Sequence, residues 1–222
     1  GVLWFGHTGG GITRRQNGSF HTVHFDSLDI SSDISKIAQD LEGNMWIATT
    51  EQGVLFVKST KGEVSDWEIT NFKGLEGLSD RVFDIIVGKD SSIYFITDVG
   101  VKMYEGKSEK DPFVNFSPEG LPVYFQVTTM YFDEAGNVWY GTYNGGLYRQ
   151  RFDGRGFDIY DVRDGLAHNW ISKITEDQNG DIWIGTWGGG LSKFDGKKMM
   201  TFNQDNGLND LKIRDIETDR EG

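Results

Sequence analysis

In short runs along this chain side chains alternate in type from one position to the next, as in Ile182 and Ile184 against Trp183 and Gly185. The runs end at Asn-Gly, Asp-Gly or Gly-Gly, and this pattern predicts half-buried strands joined by tight turns. One phrase of the pattern recurs five times: GVLWFGHTGGGI from Gly1, GNMWIATTEQGV from Gly43, SSIYFITDVGV from Ser91, GNVWYGTYNGGL from Gly136 and GDIWIGTWGGGL from Gly180. Its aromatic markers Trp4, Trp46, Tyr94, Trp139 and Trp183 are 42, 48, 45 and 44 residues apart. Repetition at this period signals one supersecondary unit copied in series, because a unit of that size cannot bury its apolar face alone.

Each copy has room for an inner strand ending in a turn such as Asp177 to Asp181, a second strand with the aromatic marker, a third after the Gly-Gly, and a fourth. Four antiparallel strands per repeat is the arithmetic of a β-propeller blade. The prediction is an all-β fold over residues 1–222, with five four-stranded blades and Trp4, Trp46, Trp139 and Trp183 buried at equivalent places. The ends are in phase: the first copy opens at its second strand, and Leu211 to Thr218 read as an inner strand without a sheet. Pairing Leu211 to Thr218 with Val2 to His7 would make a blade shared by both ends and close a ring. A boundary within a longer array would give the same phase, so five blades are either the whole propeller or a portion of a larger one.

Aromatic content of 14% in 222 residues supplies one sizeable core. Without cysteine, disulfides and thiolate metal sites are excluded. A net charge of -12 makes a phosphate backbone a poor partner, so nucleic acid is not expected. Direct membrane contact by this segment is not expected either, since no apolar run reaches spanning length and anionic headgroups would be repelled. Arg14-Arg15 and Lys197-Lys198 read as solvated strand or turn faces.

The tryptophans read first as core residues wedged between blades. Gly188-Gly189-Gly190 lack the helix start and Lys-Ser or Lys-Thr of a phosphate loop, so their glycines serve the turn. Asp177-Gln178-Asn179-Gly180-Asp181 opens like a calcium loop, but the position for its closing glutamate holds Gly188, which leaves a hairpin turn. His21 and His24 fall on opposite faces of a strand. No metal site and no cofactor are predicted.

Residues that break the repeat point to function. In a propeller the loops from second to third strand, and from fourth strand to the next inner strand, share one face. The first set presents His7, Glu51, Asp98, Tyr143, Asn144 and Trp187; the second presents Tyr124, His168 and Trp170. Aromatic faces mixed with amides and carboxylates suit a polar ring-shaped ligand such as a sugar. His7 stands where other copies have Thr49, Thr97, Thr142 and Thr186.

GNVWYGTYNGGLY and GDIWIGTWGGGLSKFD resemble the two-component regulator propeller repeat, whose core is Leu-Trp-Ile-Gly-Thr, two variable residues and Gly-Gly-Leu. The likeness extends to Gly77-Leu78, Gly120-Leu121, Gly165-Leu166 and Gly207-Leu208, ahead of four inner strands. It implies a ligand-recognition or sensor propeller in the extracytoplasmic or periplasmic part of a two-component regulator. It also implies carbohydrate detection, oligosaccharide as partner, and further propeller or signalling domains in a longer chain. The family's propellers commonly have seven blades, and no kinase, receiver or membrane helix is present here. Two other classes remain open. A glycan lyase or hydrolase would use Glu51 with Asp98 or Asp80, or His7 with His168, as facing acid and base groups. A structural module would dock another protein through the same face or through open edges.

Overall fold

The computed structural model describes residues 2–23, 25, 30–58, 67–75, 77–107, 112–116, 118, 121 and 126–219. It divides into two compact units, Gly1–Phe116 and Ser117–Gly222. The fold is all-β and of the propeller type, built from five antiparallel sheets, and the helical content of the described residues is two 3-10 turns, Val162–Asp164 and Gln204–Asn206.

The first unit carries three sheets. Strands β1 (Leu3–Gly6), β2 (Ile12–Gln16) and β3 (Ser19–Val23) form the first. The second orders β4 (Ile34–Gln39), β5 (Met45–Thr49), β6 (Val54–Lys58) and β7 (Glu68–Asn71) in sequence. The third does the same with β8 (Val82–Val87), β9 (Ile93–Thr97), β10 (Gly100–Tyr104) and β11 (Phe113–Asn115). The second unit holds two sheets. One runs β12 (Val127–Phe132), β13 (Val138–Thr142), β14 (Leu147–Gln150) and β15 (Phe157–Tyr160). The other runs β16 (Ile171–Glu176), β17 (Ile182–Thr186), β18 (Leu191–Phe194) and β19 (Met199–Phe202).

Four of the sheets have the four strands expected, and the first has three among the described residues. The candidate fourth, Leu211 to Thr218, carries no strand, only an isolated bridge from Lys212 to Trp187. It is tied to the second unit by further bonds: Ile213 N donates to Thr186 O, and Gly188 and Gly190 both donate to Leu211 O. A strand requires a ladder of partners, and this segment has one bridge.

Three devices recur in the repeat. The turn after an inner strand is organised by an aspartate that also holds the tryptophan. Asp40 accepts Trp46 Nε1 at 3.0 Å and Asn44 N at 2.8 Å; Asp133 accepts Trp139 Nε1 at 2.8 Å and Asn137 N at 2.7 Å. Asp177 accepts Trp183 Nε1 at 2.8 Å with the amides of Asn179 and Asp181 at 2.9 and 3.1 Å. Its carboxyl is raised by burial, but these hydrogen bonds and Lys193 outweigh that and hold it below the ordinary value. The sequence expectation of a hairpin turn at Asp177 to Asp181 therefore holds, with the aspartate as its hub. At the other end of the second strand, the threonine hydroxyl closes the Gly-Gly turn, at 2.8 Å for Thr142 to Gly146 O and for Thr186 to Gly190 O.

Each inner strand is bulged at its second residue, at Ser35, Phe83, Thr128 and Ser172. A bulge re-aims one side chain. The Ser35 hydroxyl donates to Val82 O and the Thr128 hydroxyl to Ile171 O, both at 2.6 Å, lacing neighbouring inner strands within each unit. The third hydroxyl, Ser172 Oγ, is buried without a partner.

Packing follows from which side of a sheet meets another. In the second sheet Met45 and Ile47 face the first sheet, while Trp46 joins Val82, Ile85, Phe95 and Phe113 of the third. In the second unit Trp139 joins Ile171, Ile174, Ile184 and Phe194. Trp46 and Trp139 are 2% and 1% exposed, as expected, but Trp4 and Trp183 are only half-buried, which corrects the expectation for those two. Trp183 belongs to the last sheet of its unit and rests on Phe202 of its own sheet at 5.4 Å. Trp4 meets Trp67 edge-on at 5.7 Å. The side of the first sheet that matches Met45 and Ile47 is likewise open, with Leu3 54% and Phe5 41% exposed.

Candidate functional site

The predicted loop residues fall into two groups of different character. In the first unit each polar candidate is held by its own neighbour. His7 Nε2 lies 2.6 Å from Thr13 Oγ1, Glu51 N donates to Ser32 Oγ at 3.2 Å, and Asp98 accepts the Ser79 hydroxyl at 2.5 Å. His7, Glu51 and Asp98 are exposed, each just after the strand that carries the aromatic marker of its own sheet.

The second unit brings its candidates together. Tyr143 follows Thr142 at the end of β13, and Trp187 follows Thr186 at the same place after β17. Their backbone amides donate to the residue ahead of the adjoining inner strand: Tyr143 N to Gln126 O at 2.8 Å and Trp187 N to Trp170 O at 2.9 Å. The same bond runs from Thr50 N to Asp33 O in the first unit, so it belongs to the repeat and the side chains do not determine it. It seats Trp187 beside Trp170, and the adjacency of β12, β13 and β16 carries Tyr143 to the other side of Trp170. Ring centroids stand 4.6 Å apart for Tyr143 and Trp170, edge to face, and 5.4 Å for Trp170 and Trp187, tilted by 34°. Tyr143 is 44% exposed while both tryptophans are half-buried.

Polar groups border this run of rings. His168 Nδ1 accepts the Trp170 amide at 3.0 Å, which leaves Nε2 to carry the proton of the neutral ring. Asn144, exposed beside Tyr143, holds a left-handed backbone with φ of 63°. Asn169 accepts the Val162 amide at 3.0 Å, and its carbonyl takes Gly146 N at 2.9 Å. Gly189 has no room for a side chain, since a Cβ there would stand 2.1 Å from Ala167 O.

Two contributors were not among the sequence candidates. Lys212 Nζ and Arg214 Cζ each lie 5.9 Å from the Trp187 ring centroid. The signal for them was present in the repeat alignment: Lys212-Ile213 matches Trp170-Ile171, so Lys212 occupies the register position of Trp170. Tyr124 lies outside the described residues, as does His24. His21 is exposed on β3. Among the described residues no group of three or more His, Asp or Glu side chains gathers as a metal site.

Residues 165–188, which begin at Gly165-Leu166 and end in the Trp187 loop, match the two component regulator propeller family. A search of the curated proteins finds no match. Among solved structures, PorZ, a surface component of the type-IX secretion system of Porphyromonas gingivalis, superposes with a TM-score of 0.71 at 19% identity, covering 88% of this chain and 30% of that one. The extracellular domain of the putative one component system BT4673 from B. thetaiotaomicron gives 0.70 at 15% identity over 99% of this chain and 33% of that one. A catalytically inactive virginiamycin B lyase from Staphylococcus aureus, with quinupristin, gives 0.68 at 13% identity over 94% and 68%. These likenesses concern the fold. The chain spans about a third of the length of the first two, 30% and 33%.

Proposed function

With residues 165–188 a two-component regulator propeller repeat, we propose that this chain is a ligand-recognition segment of an extracytoplasmic sensor, and that it binds carbohydrate on the rings of Tyr143, Trp170 and Trp187. The reading rests on one observation: three aromatic rings in contact, one of them 44% exposed, at loop positions the repeat leaves free to vary. A pyranose presents a face of C–H groups that lies on an aromatic ring, and its hydroxyls take the amide and imidazole groups at the border. Among the described residues no helix is long and apolar enough to cross a membrane. Extracytoplasmic placement is drawn from the extracellular domains the fold resembles.

Two of the three rings are tryptophan, so binding is read directly from intrinsic fluorescence. Titration with neutral and acidic oligosaccharides should produce a saturable change, which Tyr143→Ala or Trp187→Ala removes. The unfolding midpoint of Tyr143→Ala should stay close to that of the parent, because the residue is 44% exposed and lies outside the buried core. If no oligosaccharide changes the fluorescence or the melting temperature, the carbohydrate reading is rejected. Signalling would then need differential affinity for two arrangements of the longer protein.

A further inference from the structure

Three cation-bearing indoles in the second unit differ in one respect. Arg149 lies over Trp139, with its guanidinium 5.4 Å from the ring, and pairs with Asp158 at 2.5 Å. Lys193 lies over Trp183 at 5.3 Å and pairs with Asp181 at 2.6 Å. Each of those cations is paired with a carboxylate. Over Trp187 there are two cations, Lys212 and Arg214, and neither closes an ion pair among the described residues. Two carboxylates of their segment have other partners: Asp210 accepts the Lys212 backbone amide at 2.9 Å, and Asp215 pairs with Lys173 at 3.0 Å. A chain of net charge -12 has carboxylates in excess, yet this pair of cations has no ion-pair partner among the described residues beside the run of rings.

We infer that the Tyr143–Trp170–Trp187 site takes an acidic glycan, with a pyranose on the aromatic rings and its carboxylate between Lys212 and Arg214. This rests on the carbohydrate reading above and adds the charge. The guanidinium offers a planar fork that matches a carboxylate, and the ammonium supplies a second donor without fixed direction. The net negative charge of the chain repels such a ligand at long range, but at physiological salt the Debye length is about 8 Å, so contact pairs persist while the distant field is screened. Lys212 and Arg214 therefore set specificity, and the rings supply the common affinity.

The test compares a uronic acid tetrasaccharide with its methyl ester, in which the ring is kept and the charge removed, at about 0.15 M salt. The acid should bind at least tenfold more tightly than the ester. In the Lys212→Gln, Arg214→Gln double variant the two should bind alike, at the affinity the ester has for the parent. Both side chains are exposed, so the parent unfolding midpoint should be retained. Equal binding of acid and ester by the parent, or a preference that survives in the double variant, overturns the inference while leaving the carbohydrate reading intact. Binding of neither, together with silence from neutral sugars, rejects both.

Discussion

The two units are built from the same repeat and use their loops differently. In the first, the residues four places after the aromatic marker are Thr8, Thr50 and Asp98, and loop side chains make local hydrogen bonds such as His7 with Thr13 and Asp98 with Ser79. In the second the corresponding residues are Tyr143 and Trp187, which meet Trp170 and extend an aromatic surface. The backbone bond that positions them is shared, since Thr50 N, Tyr143 N and Trp187 N donate to equivalent carbonyls. A conserved backbone frame with unconstrained side chains is the arrangement by which one fold acquires different sites.

The cores repeat the comparison from inside. Trp139 is sealed between two sheets, whereas Trp183, with the same aspartate bond, lies on the last sheet of its unit. Trp139→Ala should lower stability by about 3 to 5 kcal/mol, the range for a large core aromatic. Trp183→Ala should cost only about 1 to 2 kcal/mol for a half-buried side chain. Urea denaturation decides it, and equal losses would mean that Trp183 is covered as fully as Trp139.

The open sides prompt a second test. Leu3 and Phe5 occupy positions that are buried as Met45 and Ile47 in the next sheet. The pairing Gln39 with Met45 in one sheet and Glu176 with Ile182 in another sets the register in which Thr218 would face Leu3. If the two ends share a blade as the sequence predicts, cysteines at Leu3 and Thr218, in a chain that has none, should form an intramolecular disulfide. Such a bond would add about 2 to 4 kcal/mol. Cross-linking only between copies, or none under oxidising conditions, rejects that pairing.

Smaller effects separate sheet contacts from surface ones. Gly141 sits where a Cβ would come within 2.6 Å of Ile171 and 2.7 Å of Thr129, so Gly141→Ala should cost about 1 to 3 kcal/mol through overpacking. The same change at exposed Gly154 meets no atom within 4 Å and should cost only the strain of its φ of 69°. A midpoint less affected at Gly141 than at Gly154 would reverse the expected order.

The smallest effect is electrostatic. Hydrogen bonding from Arg151, partly offset by burial and reinforced by Arg149, holds the Asp158 carboxyl at about 2 against an ordinary 3.8. Its folded-state value is depressed, so its stabilisation is present above roughly pH 4 and is lost as the pH falls through about 2. Asp158→Asn should be less stable at neutral pH, with a flatter decline in urea midpoint between about pH 4 and 2. Parallel curves for the two proteins would rule out Asp158 as a source of the acid sensitivity.

Much of this was legible in order along the chain. The alternation in Ile182 to Thr186 and the Asp-to-Gly turns are local signals, and the strands form where they place them. Tyr143, Trp170 and Trp187 were also legible, as departures from a repeat that otherwise fixes each position. Lys212 and Arg214 were harder to find because they lie in a segment whose strand pattern is not matched by a ladder. The exposure of Leu3 and the half-burial of Trp183 could not be read from residues identical in pattern to buried ones, since burial depends on whether another sheet stands opposite.

The sequence by itself determined the strands, the turns and the period, because alternation, glycine at positive φ and the aspartates that hold Trp46, Trp139 and Trp183 act over a few neighbouring residues. Only the tertiary structure decided which tryptophans are sealed, which hydroxyls find a neighbouring strand, and that three rings and two cations, drawn from residues 143 to 214, meet at one place. Those outcomes depend on the packing of one sheet against the next, a relation between distant segments that no local pattern encodes.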